Sequence, residues 1–100
     1  MSDHGNQDNL PKPYRSTPMF DETSLPTALR EKHDTKAGVW GLIRVLEGRL
    51  KLTILDPLGE EILEPGRPGI VLPEQPHFVT PLGSMKMQVD FYKELPPTDQ

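Results

Sequence analysis

The sequence predicts a small all-β domain of the sandwich or barrel type. Six or seven short apolar runs alternate with turn signals made of Gly, Pro, Asp and Ser, at a spacing typical of such folds. Twelve prolines and eight glycines in 100 residues supply those turns. At most one short helical turn is predicted, near the N-terminus. A chain of this length forms a single domain with a core of limited size.

The strongest β signal lies in the middle of the chain. Two apolar runs, 38–46 and 49–55, flank Glu47 and Gly48. A two-residue loop that ends in Gly predicts a β-hairpin, because Gly48 supplies the positive φ that tight hairpin turns need.

The two faces of this hairpin differ. One face is entirely apolar and is predicted to be core, and it comprises Val39, Ile43, Val45, Leu50, Leu52 and Ile54. The other places Arg44 opposite Lys51, a like-charge pair that favours exposure. The same outer face holds Trp40, Leu42 and Leu55. Exposed apolar patches mark interfaces, so these three residues predict a homodimer contact, unless a neighbouring segment of the same chain covers them.

The flanking segments add short elements. Residues 1–13 are predicted to be a disordered tail and 14–20 to be extended, followed by a turn at 21–24. Ser24 or Thr23 is predicted to cap a helical turn over 25–30. After the hairpin, short strands are predicted around 60–64, 70–72, 77–80 and 85–92, and 93–100 is predicted to be a tail. The last strand alternates, with Met85, Met87, Val89 and Phe91 on its core side.

Composition excludes several functional classes. The absence of cysteine rules out disulfides, thiolate metal sites and cysteine nucleophiles, and it fits a reducing compartment, so a cytoplasmic location is predicted. The net charge of −4, without a cluster of Lys and Arg, argues against nucleic-acid binding. No apolar run approaches the roughly 18 residues of a membrane span, so no membrane partner is predicted.

Two motifs resemble those of a known family. Residues 45–50 (Val-Leu-Glu-Gly-Arg-Leu), followed by Pro65-Gly66 and by Leu72-Pro73 before His77, resemble the two motifs of the cupins, small double-stranded β-helix barrels of the jelly-roll type. The run 31–41 (Glu-Lys-His-Asp-Thr-Lys-Ala-Gly-Val-Trp-Gly) more narrowly resembles the TehB-like cupins. Those occur as free-standing small bacterial proteins and as the N-terminal domain of a tellurite-resistance methyltransferase. The resemblance covers roughly residues 14–92 and implies a cupin barrel there.

The resemblance also implies a reduced metal site. Metal-binding cupins carry His-x-His and a Glu in the first motif and a further His in the second. Here His33 and His77 match two of these ligands, whereas Thr35 stands in the second histidine position and Gly41 in that of the glutamate. The implied site has two imidazole ligands for a divalent ion such as Zn, Fe, Ni or Cu.

The residues around the two histidines predict a ligand pocket, with Thr35, Lys36, Glu74, Gln75 and Asp90 as its further candidates. Lys36 offers positive charge for an anionic ligand, or is an ordinary surface lysine. Asp90, Glu74 or Glu31 is a candidate third metal ligand, although the alternation of the last strand also fits Asp90 as a solvated carboxylate. The alternative for both histidines is a hydrogen bond to neighbouring backbone and no further role.

Three functional hypotheses follow. The first is a cupin that binds a small molecule or an oxyanion, with or without a divalent metal at His33 and His77, in stress or tellurite-type resistance. The second is a metal-dependent oxygenase or isomerase, which needs a third, carboxylate ligand. The third is a non-catalytic homodimeric interaction module. A methyltransferase needs a nucleotide-binding α/β unit, which 100 residues with this pattern cannot contain.

Overall fold

The computed structural model describes residues 10–97, which form two antiparallel β-sheets and one helical turn. The elements are β1 (Arg15–Ser16), β2 (Phe20–Asp21), α1 (Thr27–Arg30), β3 (Trp40–Glu47), β4 (Leu50–Leu55), β5 (Leu58–Leu63), β6 (Gly69–Val71), β7 (His77–Pro81) and β8 (Lys86–Tyr92). The predicted all-β class is confirmed. The first nine residues of the predicted tail 1–13 and the last three of the predicted tail 93–100 lie outside the described residues. Within 10–97 no helix has the length and apolar character to cross a membrane.

The strand order explains how the two sheets enclose a core. The first sheet has the order β1-β8-β3-β6, and β2 also pairs with β8. The second sheet has the order β5-β4-β7. Every pair is antiparallel, so each strand can turn one apolar face towards the opposite sheet.

The predicted hairpin between β3 and β4 is wrong. β3 pairs with β8 and β6, whereas β4 pairs with β5 and β7 in the other sheet. Gly48 does have a positive φ of 73°, but it links the two sheets. A Cβ at Gly48 would lie 2.2 Å from the carbonyl oxygen of Ser84, so only glycine fits this link. The alternating pattern specified which face of each strand points inward but not which strand lies beside it.

The predicted inner faces are confirmed by burial. Ile43 and Val45 of β3, together with Leu50 and Leu52 of β4, are at most 5% exposed. The inner face of β8 meets them, and Met87 is fully buried. The core therefore lies between the sheets and draws side chains from both.

The predicted dimer patch does not form as one surface. Trp40 and Leu42 lie in β3, but Leu55 lies in β4 and therefore in the other sheet. Leu42 is only 5% exposed, and Pro97 from the C-terminal segment lines the same surface cleft. Leu42 is therefore buried within the chain itself. The homodimer itself stays a prediction.

The turn before α1 is organised by one carboxylate. An oxygen of Asp21 accepts hydrogen bonds from the backbone N–H groups of Thr23 and Ser24 and from the Thr23 hydroxyl, at 2.8–2.9 Å. These bonds stabilise the charged form and lower the pKa of Asp21 to about 2. The predicted cap from Ser24 or Thr23 is wrong, because both side chains are used in this turn and Pro26 precedes α1 without a side-chain cap.

Candidate functional site

A single backbone bridge brings His33 and His77 together. The N–H of each residue donates to the C=O of the other, at 3.0 and 2.9 Å. Directly opposed residues of such an antiparallel pair project to the same face of the sheet. The ring centroids accordingly lie 4.0 Å apart, with the ring planes tilted by 58°.

The main chain also orients both imidazoles. Nδ1 of His33 lies 3.0 Å from the carbonyl oxygen of Glu31, and Nδ1 of His77 lies 2.8 Å from that of Gln75. A carbonyl oxygen only accepts, so each Nδ1 carries a proton, and in the neutral form of the ring Nε2 is the acceptor. Both side chains therefore present an Nε2 acceptor whose orientation the backbone holds.

Burial determines the charge of His77, the more buried of the two histidines. His77 is 4% exposed, and desolvation is the main cause that lowers its pKa below 6.5. The neighbouring His33 acts in the same direction, whereas the Gln75 carbonyl and the Asp34 carboxylate oppose it. His77 is therefore neutral at pH 7, the form in which Nε2 binds a proton donor or a metal ion.

Both histidines line a cavity of about 250 Å³ between the sheets. Its walls are mostly apolar and come from both sheets. Ile43, Val71 and Met87 belong to the first sheet and Val79 to the second. The segment 33–36 and β1 add polar and charged groups. A mainly apolar cavity with a few convergent polar groups has the form of a small-molecule site.

This arrangement can be compared with known proteins. The family model described as the TehB-like domain matches residues 15–89. The chain belongs to the TehB-like domain family. A Haemophilus influenzae protein described as a probable S-adenosyl-L-methionine-dependent methyltransferase TehB is 41% identical over 51 residues, which make up 51% of this chain and 18% of that protein. The chain thus matches less than a fifth of the length of this curated relative.

Solved structures show the same fold. The crystal structure of TehB from Haemophilus influenzae superposes with a TM-score of 0.75 at 31% identity, over 85% of this chain and 32% of that one. A protein from E. coli (strain K12) superposes with a TM-score of 0.75 at 22% identity, over 89% and 94%. FeII HppE has a TM-score of 0.57 at 23% identity, over 74% and 40%. The last two share the fold of the TehB-like domain.

The candidate pocket residues divide into two groups. Thr35 and Lys36 line the cavity together with the two histidines, and the Thr35 hydroxyl donates to the Leu72 carbonyl oxygen at 2.7 Å. Glu74 and Gln75 do not line it. The Gln75 side chain accepts from the backbone N–H of Leu72 at 3.0 Å, so Gln75 shapes the turn that holds His77.

Asp90 lies outside the pocket, contrary to the prediction. It belongs to the outer face of β8, where its carboxylate accepts from Nε of Arg44 at 2.8 Å and from the Ser16 hydroxyl at 2.7 Å. The alternative of a solvated carboxylate is also wrong, because Asp90 is 6% exposed. Alternation placed it on the outer face, but the residues that cover it come from β1 and β3, which alternation within β8 does not identify.

Three further charged or polar residues at the cavity were missed in the sequence. Tyr14 and Arg15 come from the segment around β1, and Arg15 lies over the Phe91 ring with its guanidinium carbon 5.0 Å from the ring centroid. Asp34 follows His33 directly, and that adjacency was an available signal. The segment 14–20 was correctly expected to be extended, but a strand of two residues has no pattern that names its partner.

The two imidazoles suit a divalent late first-row ion in donor type. An Nδ1–H bound to a carbonyl oxygen is the usual arrangement behind a metal-binding Nε2. In the part of the chain that the structure describes, no three side chains among His, Asp and Glu come together as a metal-binding group. Glu31, Glu74 and Asp90 therefore do not supply a third ligand in this conformation, and a metal here would have two protein ligands.

Proposed function

We propose that this TehB-like domain binds a small molecule in the cavity between its sheets, with His33 and His77 at the polar end of the site. One observation carries the proposal: two imidazoles whose main-chain bridge and Nδ1 bonds fix them line a cavity of about 250 Å³. A purely structural histidine pair does not need an adjacent cavity. The likeness of the fold to HppE supports the cupin placement that the motifs predict.

The charges around the cavity favour an anionic or metal-coordinating group in the ligand. Arg15 and Lys36 both line the cavity, against the single carboxylate of Asp34. Because His77 is neutral, the local balance is positive unless a ligand supplies negative charge. The family relationship to TehB supports a role in the response to oxyanion or tellurite-type stress, in which this domain binds the ligand. The absence of cysteine fits a cytoplasmic location.

A divalent ion is the second component of the proposal. Zn, Fe, Ni or Cu at the two Nε2 atoms would act as a Lewis acid that holds an anionic group. His33 and His77 would hold the ion, while Lys36 and Arg15 would neutralise the remaining charge of the ligand. The oxygenase or isomerase alternative needs a third protein ligand, which the described side chains do not supply.

The experiment is an NMR titration of the imidazole resonances with Zn(II), with tellurite and with phosphate. We expect at least one of the three probes to shift both histidines in the wild type. None should bind to a His33→Ala/His77→Ala double variant, which keeps the main-chain bridge and is followed through its backbone amide resonances. Glu74→Ala is the matched control, since Glu74 is exposed and does not line the cavity. If none of the three probes shifts either ring, the polar end is not a binding site for metals or inorganic anions.

The homodimer is a separate proposal, and the structure changes its test. Leu42→Glu is unsuitable, because Leu42 is buried and the charge would unfold the protein. Trp40→Ala and Leu55→Glu each alter a half-buried side chain on a different sheet. We expect one of them to shift a dimer towards monomer in light scattering. A wild type that is monomeric at all concentrations would exclude the interaction module.

A further inference from the structure

We infer that the cavity takes an organic carboxylate with an apolar body, rather than an inorganic oxyanion. The inference rests on the proposed function, because it names the class of ligand for the same site. It is carried by the volume of the cavity, by the separation of its charged and apolar side chains, and by the absence of a side chain at Gly41, which lines it.

The volume exceeds what an inorganic oxyanion needs. A dry apolar cavity of about 150 Å³ accommodates benzene, with its six carbon atoms. At about 250 Å³, the cavity has room for about ten non-hydrogen atoms on the same scale. Tellurite, with four atoms, would leave most of this space unfilled, and it has no apolar part that could contact the hydrocarbon walls.

The strand registers separate a polar mouth from an apolar floor. Along β7, His77 precedes Val79 by two residues, so both side chains point into the cavity. Along β8, Phe91 pairs with Arg15, while Val89 and then Met87 follow on the same face. The floor residues Val79, Met87 and Val89 are all buried, whereas Arg15 and Lys36 at the mouth are exposed. A molecule with one anionic end and an apolar body matches this order.

Gly41 of β3 lines the cavity without a side chain of its own. A Cβ at this position would meet Val71, Thr35 and Val89 at 3.7–4.0 Å, which is ordinary van der Waals contact, and all three residues line the cavity. The absent side chain therefore enlarges the cavity between mouth and floor. A larger side chain at Gly41 would fill the space that the body of the ligand occupies, without removing either imidazole.

A carboxylate is a head group that the site can bind both without a metal ion and with one. Without a metal, it meets the positive charge of Arg15 and Lys36 at the mouth. With a metal on the two Nε2 atoms, a carboxylate is an ordinary oxygen ligand for it. An uncharged head would not pair with the charge of Arg15 and Lys36, and it would bind a metal ion more weakly than a carboxylate does.

The test compares hexanoate, benzoate, acetate and hexanamide with phosphate and tellurite, by NMR titration of the wild type in the presence and absence of Zn(II). We expect hexanoate or benzoate to bind at least tenfold more tightly than acetate and to shift the methyl resonances of Val79, Met87 and Val89. Gly41→Leu should remove this advantage. The matched control is Gly59→Leu, since a Cβ there has no neighbour within 4 Å and Gly59 lies on β5, away from the cavity.

The outcomes separate the inference from the proposed function. If acetate, phosphate or tellurite binds as tightly as hexanoate, or if Gly41→Leu has no effect, the apolar body is not recognised and the inference is overturned while the proposed site stands. If hexanamide binds as tightly as hexanoate, the carboxylate assignment is overturned. If no probe binds, with or without Zn(II), the inference and the proposed function fail together.

Discussion

His33 and His77 exchange both main-chain hydrogen bonds, so their imidazoles lie side by side because of the backbone and not because of a ligand. Each Nδ1 is also bound to a carbonyl oxygen of the residue two positions earlier, Glu31 or Gln75. The pair is therefore arranged before any ligand arrives, and binding does not have to order it. Substitution of either side chain should leave the bridge intact, which makes the pair accessible to mutagenesis.

The first prediction concerns pH and the stability of the metal-free protein. In the folded protein the pKa of His77 is lowered below 6.5, its value in the unfolded chain, chiefly by burial. At a pH between the folded-state and unfolded-state pKa values, the unfolded chain therefore binds more protons than the folded one. The stability that this difference represents is present above pH 6.5 and is lost as the pH falls through the folded-state pKa. Urea unfolding between pH 5 and 7.5 should show the decline, and His77→Gln should flatten it. Equal slopes in the two proteins would contradict the burial of a neutral His77.

The second prediction is a gain of metal affinity at Gly41. This position faces the cavity beside Thr35, and in metal-binding cupins the corresponding residue is a glutamate. Gly41→Glu would add a carboxylate to the two imidazoles and complete a three-ligand site of the kind that non-haem iron and zinc use. We expect the affinity for Zn(II) to rise at least tenfold in calorimetry. Gly41→Gln is the matched control, since it adds similar volume without the charge. A similar gain in both variants would show that the carboxylate does not reach the metal.

The third prediction tests the reassignment of Asp90. Its carboxylate joins Arg44 and Ser16 on the outer face of the first sheet. Asp90→Asn should lower the free energy of unfolding by about 1–2 kcal/mol, because a buried charge-assisted network loses its charge, although the partly exposed Arg44 limits the effect. Ligand binding in the cavity should not change. Glu47→Gln is the comparison, since Glu47 is exposed and lies 3.7 Å from Lys86, and we expect its effect to be below about 0.5 kcal/mol.

The core-facing side chains of a strand can be predicted from its own sequence, whereas the strand beside it cannot. Alternation within 85–92 was sufficient to predict which side chains enter the core, because the period of a strand is two and one face must be buried. The motif around His33 was sufficient to predict the family. The partner of β3 was not predictable in the same way, because the apolar face of β3 can be buried equally well with β4 or with β8 as its neighbour. The strand pairing excludes the hairpin, and the link at Gly48 packs against Ser84 and Met85, which are distant in sequence.

The candidate site shows the same division. The two histidines and their neighbours Thr35 and Lys36 carry a sequence signal, since they lie within the family motifs. Arg15 does not, because it reaches the cavity only through the pairing of β1 with β8. Long-range strand pairing therefore determines the part of the site that sequence reasoning missed.

The last prediction tests the link between the two sheets. Gly48 and Gly66 have φ values of 73° and 85°, so alanine is strained at both positions by a similar amount, about 1–2 kcal/mol. They differ in their surroundings: a Cβ at Gly48 would lie 2.2 Å from the Ser84 carbonyl oxygen and 2.9 Å from the Cα of Met85, whereas a Cβ at Gly66 has no neighbour within 4 Å. Both close contacts involve backbone atoms, which cannot move as a flexible side chain can. Gly48→Ala should therefore destabilise the fold by a further 1–3 kcal/mol or so beyond Gly66→Ala. Urea unfolding of the two variants measures the difference. An equal loss of stability in both would show that the backbone of Ser84 and Met85 can move away from residue 48 without cost.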